Sequence, residues 1–294
     1  MKGLSTASSL AAALLAALLC ASVGCGRGRI DRVEWPVMGT IAAVQLRSSS
    51  VFGYHAATSV VQQVTVDLER ALNAHDPDSE LSRLAPLEEG EILAGCGKSP
   101  MVYRREVRPC YEAAFKLMHA SGGVFNPRWR GTNTLDLGAI AKGFAVDVAA
   151  LDCYVDRADA LVDIGGNIKS VRGAWKTGVK DPDGDGFAAV VALRGGEALA
   201  TSATYYRGSH IYDGRTGKPA ASNVASVTVL CDSAMWADGL STTLFVLGPE
   251  EGRAFLDKHL VELVGDKKVA VLWILGDGSH VKVDPDDRFA IGNL

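Results

Sequence analysis

Ala160-Leu-Val-Asp-Ile-Gly165-Gly166-Asn167-Ile-Lys-Ser-Val171 is the stretch that decides the fold. Two short apolar runs flank a pair of glycines, with no room between them for a crossover helix. A connection that short joins antiparallel strands. The pattern continues downstream. Trp175 to Val179 and Ala188 to Leu193 are separated by a DPDGDG loop, and further extended runs follow at Ala198 to Ser202 and Ser226 to Leu230. Val269–Leu275 and His280–Val283 form a closing hairpin through Gly276-Asp-Gly278. Strands outnumber crossover helices, which predicts an α+β fold: largely antiparallel sheets flanked by helices, in a single compact unit.

Working outward, Trp35 to Leu46 reads as a strand entered by Met38-Gly39-Thr40. Tyr54 to Leu72 carries Val60, Val61, Val64, Leu68 and Leu72 at helical spacing. Asn73-Ala-His75-Asp-Pro-Asp-Ser79 breaks that helix with turn formers. Val107 to Ser121 is a second helix, ended by Gly122-Gly123. A third helix follows Leu135-Asp136-Leu137-Gly138, with Ile140, Phe144 and Val148 stacked four residues apart. Two more helices are expected over Ser233 to Leu247 and Pro249 to Leu260.

The N-terminus reads as a leader. Lys2 precedes the apolar run Leu10 to Leu19, which is too short to span a bilayer. Ser22-Val-Gly-Cys25 follows, and that order is a secretory signal. Small residues before a cysteine resemble a bacterial lipobox, with cleavage after Gly24 and lipid on Cys25. The expected organisation is a signal peptide over 1–24, a lipidated tether over 25–34 and the folded domain over 35–294. The expected location is the periplasm, with a membrane anchor through Cys25. Removing 1–24 takes away Lys2 and no acid, leaving 29 bases against 34 acids, a formal charge of −5. That balance argues against nucleic acid as a partner. Cys96, Cys110, Cys153 and Cys231 lack zinc-type spacing. Cys96 and Cys110 either pair in an oxidising compartment or stay free and buried.

Several suggestive patterns fail on inspection. Asp181-x-Asp183-x-Asp185-Gly186 begins like a calcium loop, but its twelfth position is Ala192 where a bidentate Glu is needed. Gly97-Lys98-Ser99 lacks the first glycine of a phosphate-binding loop, since Ile92 stands there. Neither G-x-S-x-G nor H-E-x-x-H occurs, which removes two large hydrolase classes.

The chemistry-bearing residues are few. Asp238 and Thr242 lie four residues apart on a helix and so share a face. A carboxylate and a hydroxyl are hard oxygen ligands that suit Mg²⁺ or Ca²⁺. Asp136-Leu-Gly138-Ala-Ile-Ala-Lys142 turns from strand to helix, and a helix N-terminus favours an anion. Lys142 could reach a phosphate there or be a solvated surface lysine. Asp136 could accept hydrogen bonds from a ligand or cap the helix. Gly165-Gly166 admits a ligand or another strand close to the backbone. His210 sits in a polar, turn-rich stretch and is either structural or a base beside a phosphate.

Taken in order, these segments resemble the ApbE-type FAD:protein FMN transferases. The matching pieces are Met38-Gly39-Thr40, Asp78 to Leu84, Phe125-Asn126-Pro127, LDLGAIAKGFAVD (135–147), LVDIGGN (161–167), ATS (200–202), SHIYDGRTGKP (209–219) and SVTVLCDSAMWADGLSTTLFVLG (226–248). The resemblance implies that Asp238 and Thr242 bind Mg²⁺, with the main-chain carbonyl at Ala139 and Ser241 nearby. It implies an FAD site lined by Met38, His75, the Phe125–Asn126 segment, Asp136, Lys142 and Ile211. It makes His210 the catalytic candidate. The implied reaction moves FMN from FAD to a Ser or Thr hydroxyl of an exported flavoprotein and releases AMP. The alternatives are an FAD pyrophosphatase giving FMN and AMP, and a non-catalytic FAD-binding lipoprotein. The chain departs from the family pattern at Asn126 and Asn167, each in place of Asp. Arg128-Trp129-Arg130 stands in place of small residues, and His75 stands where many members carry Tyr.

Overall fold

The computed structural model describes residues 30–47, 51–95, 107–155, 159–204 and 211–292. The leader, Cys25, Cys96 and His210 lie outside the described residues.

Strands β1 (Ile30–Val37) and β2 (Thr40–Arg47) open the fold, followed by helices α1 (Val51–Leu72), α2 (Glu80–Leu84), α3 (Glu89–Gly95), α4 (Arg108–Ala120) and α5 (Ala141–Val155). A run of strands comes next: β3 (Asp159–Ile164), β4 (Asn167–Ser170), β5 (Trp175–Lys180), β6 (Phe187–Leu193), β7 (Ala198–Ala203), β8 (Tyr212–Asp213), β9 (Lys218–Pro219) and β10 (Val224–Cys231). Helix α6 (Ala234–Val264), strands β11 (Ala270–Leu275) and β12 (His280–Val283), and the short β13 (Ala290–Ile291) complete it.

An 8-stranded sheet in the order β1-β2-β3-β4-β7-β10-β11-β12 forms the middle layer, and its neighbouring strands pair antiparallel. Helices cover one face and the 3-stranded sheet β13-β6-β5 covers part of the other. This explains why β11, Ala-Val-Leu-Trp-Ile-Leu, does not alternate with polar residues. Val271 and Trp273 pack toward the helices, while Ala270, Leu272 and Ile274 pack toward the small sheet. Burial on both faces demands an apolar residue at almost every position.

The deciding stretch folds as expected: β3 and β4 pair from Leu161↔Ser170 to Ile164↔Asn167 around Gly165-Gly166. The DPDGDG loop joins β5 to β6 as a hairpin. At Gly248 the φ of 72° breaks α6 just before Pro249, so its two halves match the two expected helices.

Two sequence expectations are corrected. Residues 35–46 are not one strand but a hairpin, because Met38 and Gly39 both take positive φ, 52° and 67°, as a two-residue hairpin turn requires. The tether does not extend to residue 34. Ile30 to Glu34 pair with Arg47 to Ala43 of β2, and Val33 packs on the core, so residues 30–34 belong to the folded domain. The charges of Asp31, Arg32 and Glu34 gave this segment the look of a linker, but an edge strand carries charges readily. Cys110, Cys153 and Cys231 are buried free thiols, the second of the two alternatives for Cys110. Burial pushes the Cys231 thiol up to about 11. Burial, then the nearby Asp238 charge, pushes Cys110 up further still.

Candidate functional site at the junction of two helices

The first turns of α5 and α6 meet at Gly143. A Cβ there would fall 2.2 Å from the Ala234 carbonyl oxygen and 2.7 Å from Asp238 Cβ, so only glycine permits the approach. Each helix sends a carboxylate to the other's N-terminus. Asp147 of α5 accepts from Ser233 Oγ at 2.7 Å, Ala234 N at 3.0 Å, Met235 N at 3.0 Å and Lys169 Nζ at 2.8 Å. Asp238 of α6 accepts from Gly143 N at 2.9 Å through Oδ2. Free N–H groups and the positive end of the helix dipole favour both carboxylates.

Asp238 is only 5% exposed, and the Lys142 ammonium lies 3.5 Å from its Oδ2. The same Nζ donates to the Gly138 carbonyl at 2.8 Å. Lys142 therefore spans the glycine turn and Asp238, which settles its environment: it is a half-buried residue facing a carboxylate, not a freely solvated one. One helical turn beyond Asp238, Thr242 Oγ1 lies 3.1 Å from Ser202 Oγ on β7. Ser241 is fully buried; its hydroxyl donates to the Asp238 carbonyl at 2.9 Å and pairs with Ser202 at 2.8 Å. The resemblance placed Ser241 near the metal. Ser202 links it to the half-buried Thr242, since both hydroxyls lie within hydrogen-bond distance of Ser202 Oγ.

Asp136 lies just before α5 and accepts from Gly138 N at 2.9 Å, a local turn that starts the helix. Its other oxygen accepts from Trp129 Nε1 at 3.3 Å and faces Arg130 at 3.5 Å. Both readings of Asp136 thus meet one fact: Gly138 N holds one oxygen and this chain's own Trp129-Arg130 pair faces the other. The Trp129 ring stacks on Tyr212 with centroids 4.3 Å apart, and the Arg130 guanidinium lies 4.7 Å from the Trp129 centroid. Arg128 instead ties the loop down, donating to the carbonyls of Ala85 at 2.8 Å and of Leu87 and Thr132.

Phe125 is buried, and Asn126 Nδ2 donates to Gly214 O at 3.2 Å while its Oδ1 accepts from Arg128 N at 2.8 Å. Gly214 N returns a bond to Val124 O at 3.0 Å. The Phe125–Asn126 segment is thereby stitched to β8, with Ile211 buried just before it. Arg215 holds the Asp213 carboxyl below the usual carboxylate range through a hydrogen-bonded pair on the same hairpin. Met38 is half-buried at its turn, its N–H donating to Glu69 Oε1 of α1 at 2.7 Å. Gly165 packs on the same turn: its N–H donates to Ile41 O at 3.1 Å, and a Cβ would fall 2.7 Å from Thr40 Oγ1. The glycine pair therefore admits a strand, one of its two expected uses. His75 is exposed on its turn, where Asn73 Oδ1 accepts from its backbone N–H at 2.9 Å.

The structure thus gathers Lys142, Asp238, Ser241 and Thr242 at one helix junction, with Asp136 at its edge, while Phe125, Asn126 and Ile211 line the adjoining hairpin. Sequence reasoning missed Ser202, Asp147, Trp129 and Tyr212 as participants. A hard-donor set of carboxylate, hydroxyl and backbone carbonyl suits a divalent cation. The Lys142 ammonium lies between the Gly138 carbonyl and Asp238.

The fold is that of the flavin transferases. The apo form of Pseudomonas stutzeri flavinyl transferase ApbE superposes with a TM-score of 0.67 at 23% identity, covering 89% of this chain and 96% of that one. Flavin transferase ApbE from Vibrio cholerae gives 0.65 at 22% identity, covering 87% and 97%. In sequence, the ApbE family model matches residues 128–264. The FAD:protein FMN transferase of Treponema pallidum is 30% identical over 83% of this chain and 86% of the relative. The Vibrio cholerae enzyme of the same name is 36% identical over 44% of this chain, which spans 43% of that relative. The chain belongs to the ApbE family of FAD:protein FMN transferases.

Proposed function

We propose that this chain transfers FMN from FAD to a hydroxyl of an acceptor protein. The observation that carries this reading is the junction of α5 and α6, where Asp238, Lys142 and the Gly138 turn converge within a chain of this family. In the reaction a Ser or Thr oxygen of the acceptor forms a bond to the FMN phosphorus of FAD. The bond from that phosphorus to the AMP oxygen breaks, and AMP leaves.

Asp238 and Thr242, with the carbonyl at Ala139 and Ser241 nearby, would hold Mg²⁺, and Ser202 bonds to both the Ser241 and the Thr242 hydroxyls. When bound, the cation supplies charge neutralisation at the diphosphate. Lys142, on the first turn of α5, pairs with phosphate oxygens, and the N-terminal end of that helix adds its dipole. Asp136, Met38, His75, Phe125, Asn126 and Ile211 line the FAD site. His210, outside the described residues, takes the proton of the attacking hydroxyl, which is otherwise a weak nucleophile. Positioning supplies most of the remaining acceleration.

The acceptor is an exported or membrane flavoprotein carrying an Asp-x-x-Ser/Thr-Gly-Ala-Ser/Thr motif. The chain itself works in the periplasm, tethered through lipid on Cys25; the order of charge, apolar run and Ser22-Val-Gly-Cys25 supports this. The test is to incubate the chain with FAD, Mg²⁺ and an acceptor bearing that motif, and to weigh the products. An FMN-sized gain on the acceptor, abolished by EDTA and by Asp238→Ala, is the expected result. Free FMN with AMP and an unlabelled acceptor would make the chain a hydrolase, and bound unchanged FAD would make it a carrier.

A further inference from the structure

The transferase reading gives Lys142 a phosphate to hold, yet its ammonium is already engaged by oxygens of this chain. It bridges the Gly138 carbonyl at 2.8 Å and Asp238 Oδ2 at 3.5 Å, one oxygen from the turn before α5 and one from α6. Among the described residues, it is the cation paired with Asp238. A carboxylate only 5% exposed needs such a partner, because an uncompensated buried charge is costly. Gly143 N supplies one hydrogen bond but no net charge.

We propose that Lys142 is the resident cation of this site and is exchanged between two partners. At rest it balances Asp238. A divalent cation held by the same carboxylate repels the ammonium at short range, so the two do not share Asp238. Lys142 then leaves Asp238, and its flexible four-carbon stem swings the charge to the nearest free anion. The Lys142 side chain is 23% exposed against 7% for Asp238, so the displaced ammonium has a way out on the solvent side. With FAD present, that anion is the diphosphate beside the first turn of α5. The consequence is coupling. FAD draws Lys142 away from Asp238 and makes room for the cation, and the cation releases Lys142 for FAD. By linkage each must tighten the other by the same factor.

This inference rests on the transferase reading, and the experiment separates the two. Mn²⁺ binding to the full chain is followed by the loss of its free-ion paramagnetic signal, with and without FAD, for wild type, Lys142→Met and Lys142→Gln. In wild type FAD should tighten Mn²⁺ about tenfold, within the common range of such couplings. Both variants should bind Mn²⁺ about tenfold more tightly than wild type when FAD is absent, and FAD should then add little. Glutamine keeps a donor for the Gly138 carbonyl, so it serves if methionine impairs folding. Variants that bind Mn²⁺ no better than wild type, or that keep the full FAD effect, overturn the exchange while leaving the transferase reading intact. A wild-type chain that binds neither Mn²⁺ nor FAD sinks the transferase reading itself.

Discussion

Asp147 and Asp238 occupy mirror positions. Each comes from one of two packed helices and reaches the N-terminus of the other. Asp147 is saturated, with two backbone N–H groups, a serine hydroxyl and a lysine on its two oxygens. Asp238 is not: among the described residues it has one backbone N–H and an ammonium at 3.5 Å. Placement at a helix N-terminus is therefore no mark of function. What marks the site is unspent capacity on a buried carboxylate, beside a neighbouring group that can move. Asp147 fixes the joint, and the fixed joint presents Asp238.

The largest effect should come from wedging the two halves apart. Gly143→Ala places a methyl against the Ala234 carbonyl and Asp238, where backbone rather than a side-chain tip must yield. It should cost about 3 kcal/mol in denaturant titration and abolish FMN labelling, since both carboxylates lose their geometry. A variant of wild-type stability would show that the close approach of α5 and α6 is not needed.

The sharper contrast is between the two acids. Asp147→Ala should lower stability by about 2 kcal/mol, because Lys169 and the first turn of α6 lose their partner. Labelling per folded molecule should stay within a few-fold of wild type. Asp238→Asn keeps an acceptor for Gly143 N and should fold nearly normally, yet lose Mn²⁺ binding. If the two variants show the same balance of stability and binding loss, the division between fixing and presenting fails.

Asp163 extends the comparison with a smaller effect. Burial raises its carboxyl above the ordinary 3.8, partly offset by the Gly166 N–H and by Arg32, while Glu34 adds to the rise. A raised acid holds its proton in the folded chain over a pH range where the unfolded chain has released it. Stability therefore falls as pH rises through that range and levels off above it. Asp163→Asn keeps the acceptor for Gly166. It should flatten this slope and be more stable than wild type at neutral pH. Urea midpoints taken from mildly acidic to neutral pH check the sign.

Much of this was legible in one dimension. The hairpins showed because glycine pairs and DPDGDG punctuate apolar runs, and the break in α6 showed because Gly248-Pro249 cannot continue a helix. Asp238 and Thr242 showed because four residues bring side chains onto one helical face. The first strand hides behind its charges, and Met38-Gly39-Thr40 looks like the entry to one strand rather than the turn between two. Ser202 could not be found from spacing, since a serine on a strand gains meaning only when α6 crosses above it. Trp129 was visible as a departure, but its link from Tyr212 to Asp136 was not.

The amino-acid order by itself determined the elements and the residue types at the site, because turn chemistry and helical periodicity act over a few residues. Tertiary structure alone decided which of two similar acids would be satisfied and which left open. That choice depends on how closely α5 and α6 approach at Gly143 and on where Lys142 lands, and both are set by packing between segments about a hundred residues apart.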